Sequence, residues 1–562
     1  MKIIGINYLS ESSVALIENG EVKFAISQER LNRIKNWYGN PYKAINFVLK
    51  MTKNKIRDID IFATHGSSAL EKEIPNKINF DNKIQEIKFS KLNTNQKKKQ
   101  IFNLKKRLSR EIKVKKRTLK NLENLKKRYK KLEIFDHHDA HAASAYFYSG
   151  WKKCTVLTID GWGDHFSSKF YETNNGILKN LSKSSSIDSL GYFYGSITKL
   201  LGFKPHRHEG KILGLAAYGN YKKAYKYISK MISYDYKNKS FKGNYENGLY
   251  IANFDNKNLN FLNRLFSSAD IAAATQKRIE EVIIDFLQDN LNCKTNLALA
   301  GGVFANVKIN QKISELKNVK EIFVYPNMGD GGLAVGCGIL AYNKFKKFKP
   351  RLTRTMYLGS EYSNKEILNT LKKNKKLEFS RIKNPEKFLA QKLHQGKVVA
   401  CFQGRMEFGP RALGNRSILV SACDNLVNKW LNKKLKRTEF MPFAPITLDS
   451  YANQMYHNLK PLKKAVQFMT STVKCKKEII DKSPASVHID KTARPQIIDK
   501  KTNPRIYKIL KEYKTISGIP NLINTSFNVH EEPIVCSPSD ALRAFKTSDL
   551  DYLFIGDYIV YK

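Results

Sequence analysis

The chain has 562 residues, 42% hydrophobic and 27% charged, with a formal net charge of +49; it is too long for one core, and about two to four globular domains are expected. Its seven cysteines stand singly with no CxxC, which excludes a disulfide framework and a zinc knuckle. No run approaches the roughly 18 apolar residues of a membrane span, and the start, MKIIGINYLSESSVALIENG, lacks the pattern of a signal peptide, so a cytoplasmic location is expected.

That opening segment alternates like a strand over Ile3–Asn7, followed by a strand pair at Val14–Ile17 and Val22–Ile26. From Lys91 to Lys131 there are 18 Lys or Arg against two acids, a net of +16. Within that block Ile101, Leu104, Leu108 and Ile112, then Leu119, Leu122, Tyr129 and Leu132, recur at helical spacing. The pattern predicts one or two amphipathic helices with basic outer faces. They read either as a solvated insertion or as a face for an anionic acceptor, a polyanion or a membrane surface. Aromatic residues are too sparse there for a platform that stacks single-stranded bases.

Residues 137–164 read HHDAHAASAYFYSGWKKCTVLTIDGWGD. His137 and His141 are four apart in a helix-favouring stretch, so both imidazoles project from one face. An apolar strand, Cys154–Ile159, then delivers Asp160 at its C-terminal end. Two imidazoles and a carboxylate suit Fe(II), Zn(II) or Mn(II); otherwise one ring caps the helix and the other is solvated. A fourth candidate ligand, Asp330, follows the strand Glu321–Tyr325 in the Gly-rich turn MGDGGLAVG, where the alternative role is helix N-cap.

Between these segments, the strand Leu297–Ala300 runs into Gly301 and Gly302, with Asn306 in the helix that follows. A Gly pair at the end of a strand, opening a helix, suits a nucleotide phosphate or adenosine. After the helix Leu333–Lys344, the basic stretch 344–352 reads as a linker. Beyond it, Arg405, Arg411 and Arg416 lie in a Gly-punctuated segment, Lys434, Lys436 and Arg437 precede EFMPFAP, and Arg494 lies in HIDKTARPQ. Guanidinium forks match phosphate oxygens. With Asn524, Thr525, Ser526 and Asn528 they suit a phosphate or carbonyl-phosphate pocket, although any single Arg in so basic a chain also reads as a surface residue.

The blocks HHDAHAASA, TIDGWGD, EGKILGLAAYG, LALAGGVFANVKIN and MGDGGLAVG resemble the N-terminal half of the O-carbamoyltransferases. That group includes the nodulation protein NodU and antibiotic carbamoyltransferases such as the one acting on tobramycin. FQGRMEFGPRALGNRSIL, RTEFMPFAPI, HIDKTARPQ and NTSFNVHEEPIVCSPSDALRAF resemble the family's C-terminal, YrdC-like domain. The resemblance implies an α/β chain: a duplicated actin/Hsp70-like (RNase H-like) ATPase domain over residues 1–345, with a basic helical insertion at about 85–132, followed by a YrdC-like α/β domain over 353–562.

It also implies a two-site relay. Carbamoyl phosphate and ATP, the latter with Mg²⁺, would give carbamoyl adenylate in the C-terminal domain. Arg411, Arg416, Lys436, Arg437, Arg494, Asn524, Ser526 and Asn528 would form the carbamoyl-phosphate pocket, with Arg494 also catalytic. A metal, Fe²⁺ first with Mn²⁺ or Zn²⁺ as alternatives, would sit on His137, His141, Asp160 and Asp330. Gly301, Gly302 and Asn306 would hold the nucleotide. Glu209 and Lys211 are the candidates near a small sugar- or antibiotic-like hydroxyl acceptor, Glu209 as general base; the alternative is an ion pair on the helix surface. A homodimer is compatible with this scheme.

The chain also departs from the family pattern. Glu11, Ser12 and Ser13 stand where family members usually carry His and Asp, so the acceptor's identity does not carry over. Met441 replaces a frequent Arg, and Lys491 and Glu531 replace favoured glycines. Two other classes of function fit the sequence less well. One is a tRNA-modifying enzyme of the threonylcarbamoyl type. The other is a non-catalytic nucleotide- or polyanion-binding protein using the basic helices.

Overall fold

A computed structural model describes residues 1–74, 77–374, 376–435, 440–529 and 531–561. The chain forms two compact units. One comprises Met1–Tyr8, Ile17–Gly20 and Ile59–Leu352; the other comprises Leu9–Leu16, Glu21–Asp58 and Thr353–Lys562. The expectation assigns all of 1–345 to one domain, whereas 9–16 and 21–58 group here with the C-terminal residues. Arg33 fastens them: its guanidinium donates to Pro533 O at 2.6 Å and Ile534 O at 2.8 Å and pairs with Glu532 and Asp540.

In the first unit the opening strand, Lys2–Asn7, pairs in parallel with Ile61–His65, which pairs in parallel with Leu132–Phe135. A second ladder repeats the arrangement: Lys153–Gly163 runs parallel to Thr295–Ala300, and that strand to Val319–Val324. Phe166–Asn174 and Ile177–Ser185 extend it in antiparallel fashion. The helix His137–Ser149 packs on the second ladder, the helix Leu333–Phe345 packs on the first, and the two helices pack on each other. A helix covered on every side can carry only small or apolar residues where backbones approach. Ala140, Ala142, Ala143 and Ala145 are accordingly fully buried.

The basic block forms a single 35-residue helix, Thr94–Arg128, opened by a capping box between Asn93 and Gln96. Leu104 and Leu122 are buried, whereas Ile112 is 39% exposed. Leu132, read from its spacing as helical, instead begins the strand Leu132–Phe135. The helical period runs on by coincidence, because Tyr129 already has an extended backbone. Among the described residues, no helix is long and apolar enough to cross a membrane.

The second unit is built on an eight-stranded sheet in the order Glu378–Arg381, Tyr558–Tyr561, Tyr552–Ile555, Val399–Phe402, Arg416–Val420, Asn521–Ser526, Ala444–Leu448, Gln496–Ile498. Side chains alternate between its faces. Val399 and Cys401 join a core with the helices Pro385–His394 and Pro504–Ser517. Ala400 and Phe402 join another with Asn364–Lys372, Val427–Lys434 and Pro538–Thr547. The unit is therefore a three-layer α/β/α sandwich.

A Cβ added at Gly336 would lie 1.9 Å from Ala140 O in the facing helix. Gly336→Val is therefore expected to destabilise the chain by at least about 2 kcal/mol, read as a lower midpoint in thermal or urea unfolding. An unchanged midpoint would mean that the two helices separate without cost.

Candidate active site

Helix His137–Ser149 starts at Asp136, whose side chain accepts from Asp139 N at 3.0 Å, and stops at Gly150 in the left-handed region. Its first two turns therefore point His137 and His141 the same way. Asp160 lies on the strand Lys153–Gly163, its Oδ1 accepting from Gly161 N at 2.6 Å. Asp330 opens the turn Asp330–Gly332; the N-cap position falls on Gly329, so the carboxylate does not cap the turn. One ligand atom from each of these four side chains lies within 4.8 Å of the others.

His141 Nε2 is 3.2 Å from Asp160 Oδ2 and 3.6 Å from Asp330 Oδ1. His137 Nε2 is 3.6 Å from both carboxylates. Nitrogen and oxygen donors placed tetrahedrally about 2.1 Å from a divalent ion stand about 3.4 Å from one another, so these spacings fit an ion. His137 Nε2 is also buried without a hydrogen bond among the described residues, as a lone pair kept for a metal would be. Burial alone would raise the Asp160 carboxyl, but the facing imidazoles of His137 and His141 hold it well below the usual carboxylate range. The quartet therefore fits a divalent metal.

Neighbouring residues orient the ligands. Asp164 Oδ2 accepts from His137 N at 2.8 Å, and its Oδ1 accepts from Ser68 Oγ at 2.6 Å. Asn7 donates to Asp330 O at 2.8 Å and meets His65 Nε2 at 2.9 Å. Burial, and then the charges of His137 and His141, push His65 well below 6.5. The third motif histidine, His138, turns away to Thr158 Oγ1 at 2.9 Å, and burial lowers it to about 3. Gly163 leaves room for the His137 ring, since a Cβ there would lie 2.0 Å from it. Asn7, His65, Ser68 and Asp164 carry no ligand spacing; only the tertiary fold brings them here.

The Gly pair lies directly against this centre. Gly301 has φ +100°, and a Cβ there would meet Ile159 O at 2.2 Å; at Gly302 it would meet Asp160 Oδ1 at 3.1 Å. Asn306, expected inside the following helix, is instead its N-cap. Its Oδ1 accepts from Ile309 N at 3.2 Å and its Nδ2 donates to Gln276 Oε1 at 2.8 Å. The helix boundary lies one residue later because the Asn side chain closes the first turn. Glu209 opens the helix Glu209–Ala216, and Lys211 is buried within it. Desolvation raises the half-buried Glu209 carboxyl, whose Oε1 accepts from His206 N at 2.6 Å.

In the second unit the expected phosphate-binding segments meet at one end of the sheet. Asn524 Nδ2 donates to Gln496 Oε1 at 2.8 Å and to Ala412 O at 3.3 Å, and Gln496 Nε2 donates to Leu413 O at 2.8 Å. These bonds join the loop holding Arg411, the segment after Arg494, and the strand leading to Ser526 and Asn528. Ser526 Oγ donates to Asn528 Oδ1 at 2.6 Å. Arg411 and Arg494 are half-buried. Arg416 differs from the expectation of a phosphate ligand. It is fully buried, with its guanidinium bonded to the carbonyls of Gln403, Asn415, Ser360 and Gly404 and stacked 3.8 Å from the Phe402 ring. In this position it fastens the loop. Glu407, which sequence reasoning overlooks, does the same by accepting from the backbone N–H groups of Leu413, Asn415 and Arg416. Lys436 and Arg437 lie outside the described residues.

Residues 2–339 match the family model described as Carbamoyltransferase N-terminus, and residues 390–562 match Carbamoyltransferase C-terminus. An uncharacterized protein of Methanocaldococcus jannaschii is 33% identical over 100% of this chain and 99% of its own. Nodulation protein NolNO of Sinorhizobium fredii is 28% identical over 99% of this chain and 79% of its own. The 3'-hydroxymethylcephem-O-carbamoyltransferase of Streptomyces clavuligerus is 26% identical over 63% of this chain and 65% of its own. The chain belongs to the carbamoyltransferase family, and the protein is a carbamoyltransferase.

Asp164 fixes the backbone N–H of His137 at the start of the ligand helix, so Asp164→Ala should weaken metal binding about 10- to 100-fold, measured by chelator competition on the purified protein. Unaltered affinity would remove Asp164 from that role.

Proposed function

We propose that the protein is an ATP-dependent O-carbamoyltransferase with two half-reactions in its two units. In the C-terminal unit, carbamoyl phosphate, ATP and water give carbamoyl adenylate, phosphate and pyrophosphate. In the N-terminal unit, a hydroxyl of a small, sugar- or antibiotic-like acceptor attacks the carbamoyl carbon. The new C–O bond forms as the bond to AMP breaks, and the hydroxyl proton passes to Glu209. The observation that carries this reading is the buried quartet of His137, His141, Asp160 and Asp330 in a chain of this family.

A divalent ion on that quartet, Fe²⁺ first with Mn²⁺ or Zn²⁺ as alternatives, would supply Lewis-acid stabilisation of charge on the departing adenylate phosphate. Gly301 and Gly302 allow a nucleotide to approach Asp160 closely, and Asn306 keeps their loop in register. The raised Glu209 carboxyl suits a general base. Arg411, Arg494, Ser526 and Asn528 are the groups proposed to bind the phosphates at the sheet end, where Asn524 orients the loops. The two parallel three-strand ladders, each in chain order, support a duplicated actin/Hsp70-like first domain. The mixed sheet of the C-terminal unit is compatible with a YrdC-like domain.

The test is pyrophosphate release from ATP with and without carbamoyl phosphate and with no acceptor. Release that depends on carbamoyl phosphate is expected; its absence in folded, metal-loaded protein would sink the adenylating step. His141→Ala should lose metal, read by elemental analysis, yet keep that release, because the two chemistries occupy different units. Arg494→Ala should do the reverse, and an unimpaired Arg494→Ala would remove this residue from the phosphate set.

A further inference from the structure

The long basic helix Thr94–Arg128 does not bury a purely apolar stripe. Between Leu104 and Leu122 the same face buries Arg107 and Glu111, which is costly unless both are partnered. Glu111 is partnered: it meets His165 Nδ1 at 2.8 Å, accepts from Ser186 Oγ and pairs with Arg107 Nη2 at 3.2 Å. Arg107 donates to the Tyr192 hydroxyl at 3.1 Å and lies over the rings of Trp162 and Tyr192, at 4.3 and 4.6 Å. Its Nε, however, has no acceptor among the described residues, although the residue is only 5% exposed.

Arg107 lines a cavity of about 280 Å³ between this helix and residues 245–253. The other charged residues lining it, Lys106, Arg110 and Lys113, are all cationic and follow at helical spacing, so they form a row. Through Arg107 and Trp162 the cavity is joined to the strand that carries Asp160. Trp162 is two residues beyond Asp160 on the same strand, and Ser189, which caps the helix of Tyr192, donates to Gly161 O at 2.6 Å. On the other side Phe254 packs 4.6 Å from the Tyr192 ring and 4.7 Å from that of His206, whose backbone N–H binds Glu209.

We infer that this cavity is the acceptor subsite and that the acceptor is a phosphorylated, sugar-like molecule whose phosphate is held by Arg107, Arg110 and Lys113. The inference rests on the carbamoyl-transfer reading above. A volume just below the roughly 300–1,000 Å³ typical of pockets for drug-sized ligands suits a single ring and its phosphate. Guanidinium forks suit the phosphate oxygens, and the same charges turn away a polyamine acceptor.

The experiment is calorimetric titration of the full-length, metal-loaded protein with glucose 1-phosphate, UDP-glucose and methyl glucoside. A phosphorylated probe should bind at least about tenfold more tightly than methyl glucoside, the value of one charge-assisted contact. The better of the two phosphorylated probes tells a monoester from a diphosphate diester. Arg110→Ala/Lys113→Ala, both at exposed positions, should abolish the preference, whereas Lys98→Ala/Lys99→Ala on the same helix outside the cavity should keep it. The inference is overturned if methyl glucoside binds equally, or if no probe binds at millimolar concentration. It is likewise overturned if the Arg110/Lys113 variant keeps the preference, or if the Lys98/Lys99 variant loses it as fully. Pyrophosphate release without acceptor does not use this cavity, so a failure of the underlying reading is seen separately there.

Discussion

Two carboxylates and two imidazoles crowded within 4.8 Å constrain everything built around them. Asp160 and Asp330 repel each other, and nearby His65 and His138 are pushed toward their neutral forms by burial. Only the two facing imidazoles, or a cation among the four groups, balance the carboxylates. Holding such a set in place demands rigid supports from several directions. The helix of His137 is enclosed on all sides by the second ladder and by the helix Leu333–Phe345, and it is alanine-rich for that reason. Gly163 and Gly336 mark the points where a neighbouring atom comes closer than a side chain would permit.

The parts of this site that were legible in the sequence are those whose geometry is local. His137 and His141 share a face because four residues make about one helical turn, and Asp160 could be placed because an apolar run ends there. Asn306 was misplaced by one residue, since a side chain that closes a first turn looks the same in sequence as one inside it. Leu132 continued a helical period that the backbone had already abandoned at Tyr129. Arg416 shows a deeper limit: an arginine among glycines looks alike whether its guanidinium faces a phosphate or four backbone carbonyls. Asp164, His65 and Asn7 act wholly through contacts distant in sequence, and no spacing announces them.

The same distinction runs through the long basic helix. Its charge count and apolar period describe a solvated insertion, and most of its lysines do face outward. What sets it apart is that Arg107 and Glu111 occupy positions where the period calls for aliphatic residues. In sequence they are lost among 18 cations; in the fold they are the charged middle of the helix's buried seam. Local propensity and tertiary role disagree at that point, and such disagreements concentrate where a protein handles a ligand.

The way the chain divides also bears on its synthesis. Arg33 leaves the ribosome far ahead of the carbonyls of Pro533 and Ile534 and the carboxylates of Glu532 and Asp540, which hold it in the finished protein. Roughly 300 residues separate 21–58 from the start of the C-terminal stretch, a delay of about 15–60 s at ordinary elongation rates. The first unit can close around its own strands during that interval. The Arg33 guanidinium of the early segment must wait for its acceptors until translation nears its end. A nascent chain stalled between the two would therefore present a metal-bearing half with Arg33 still lacking its carbonyl acceptors, which is the form a chaperone or protease would meet.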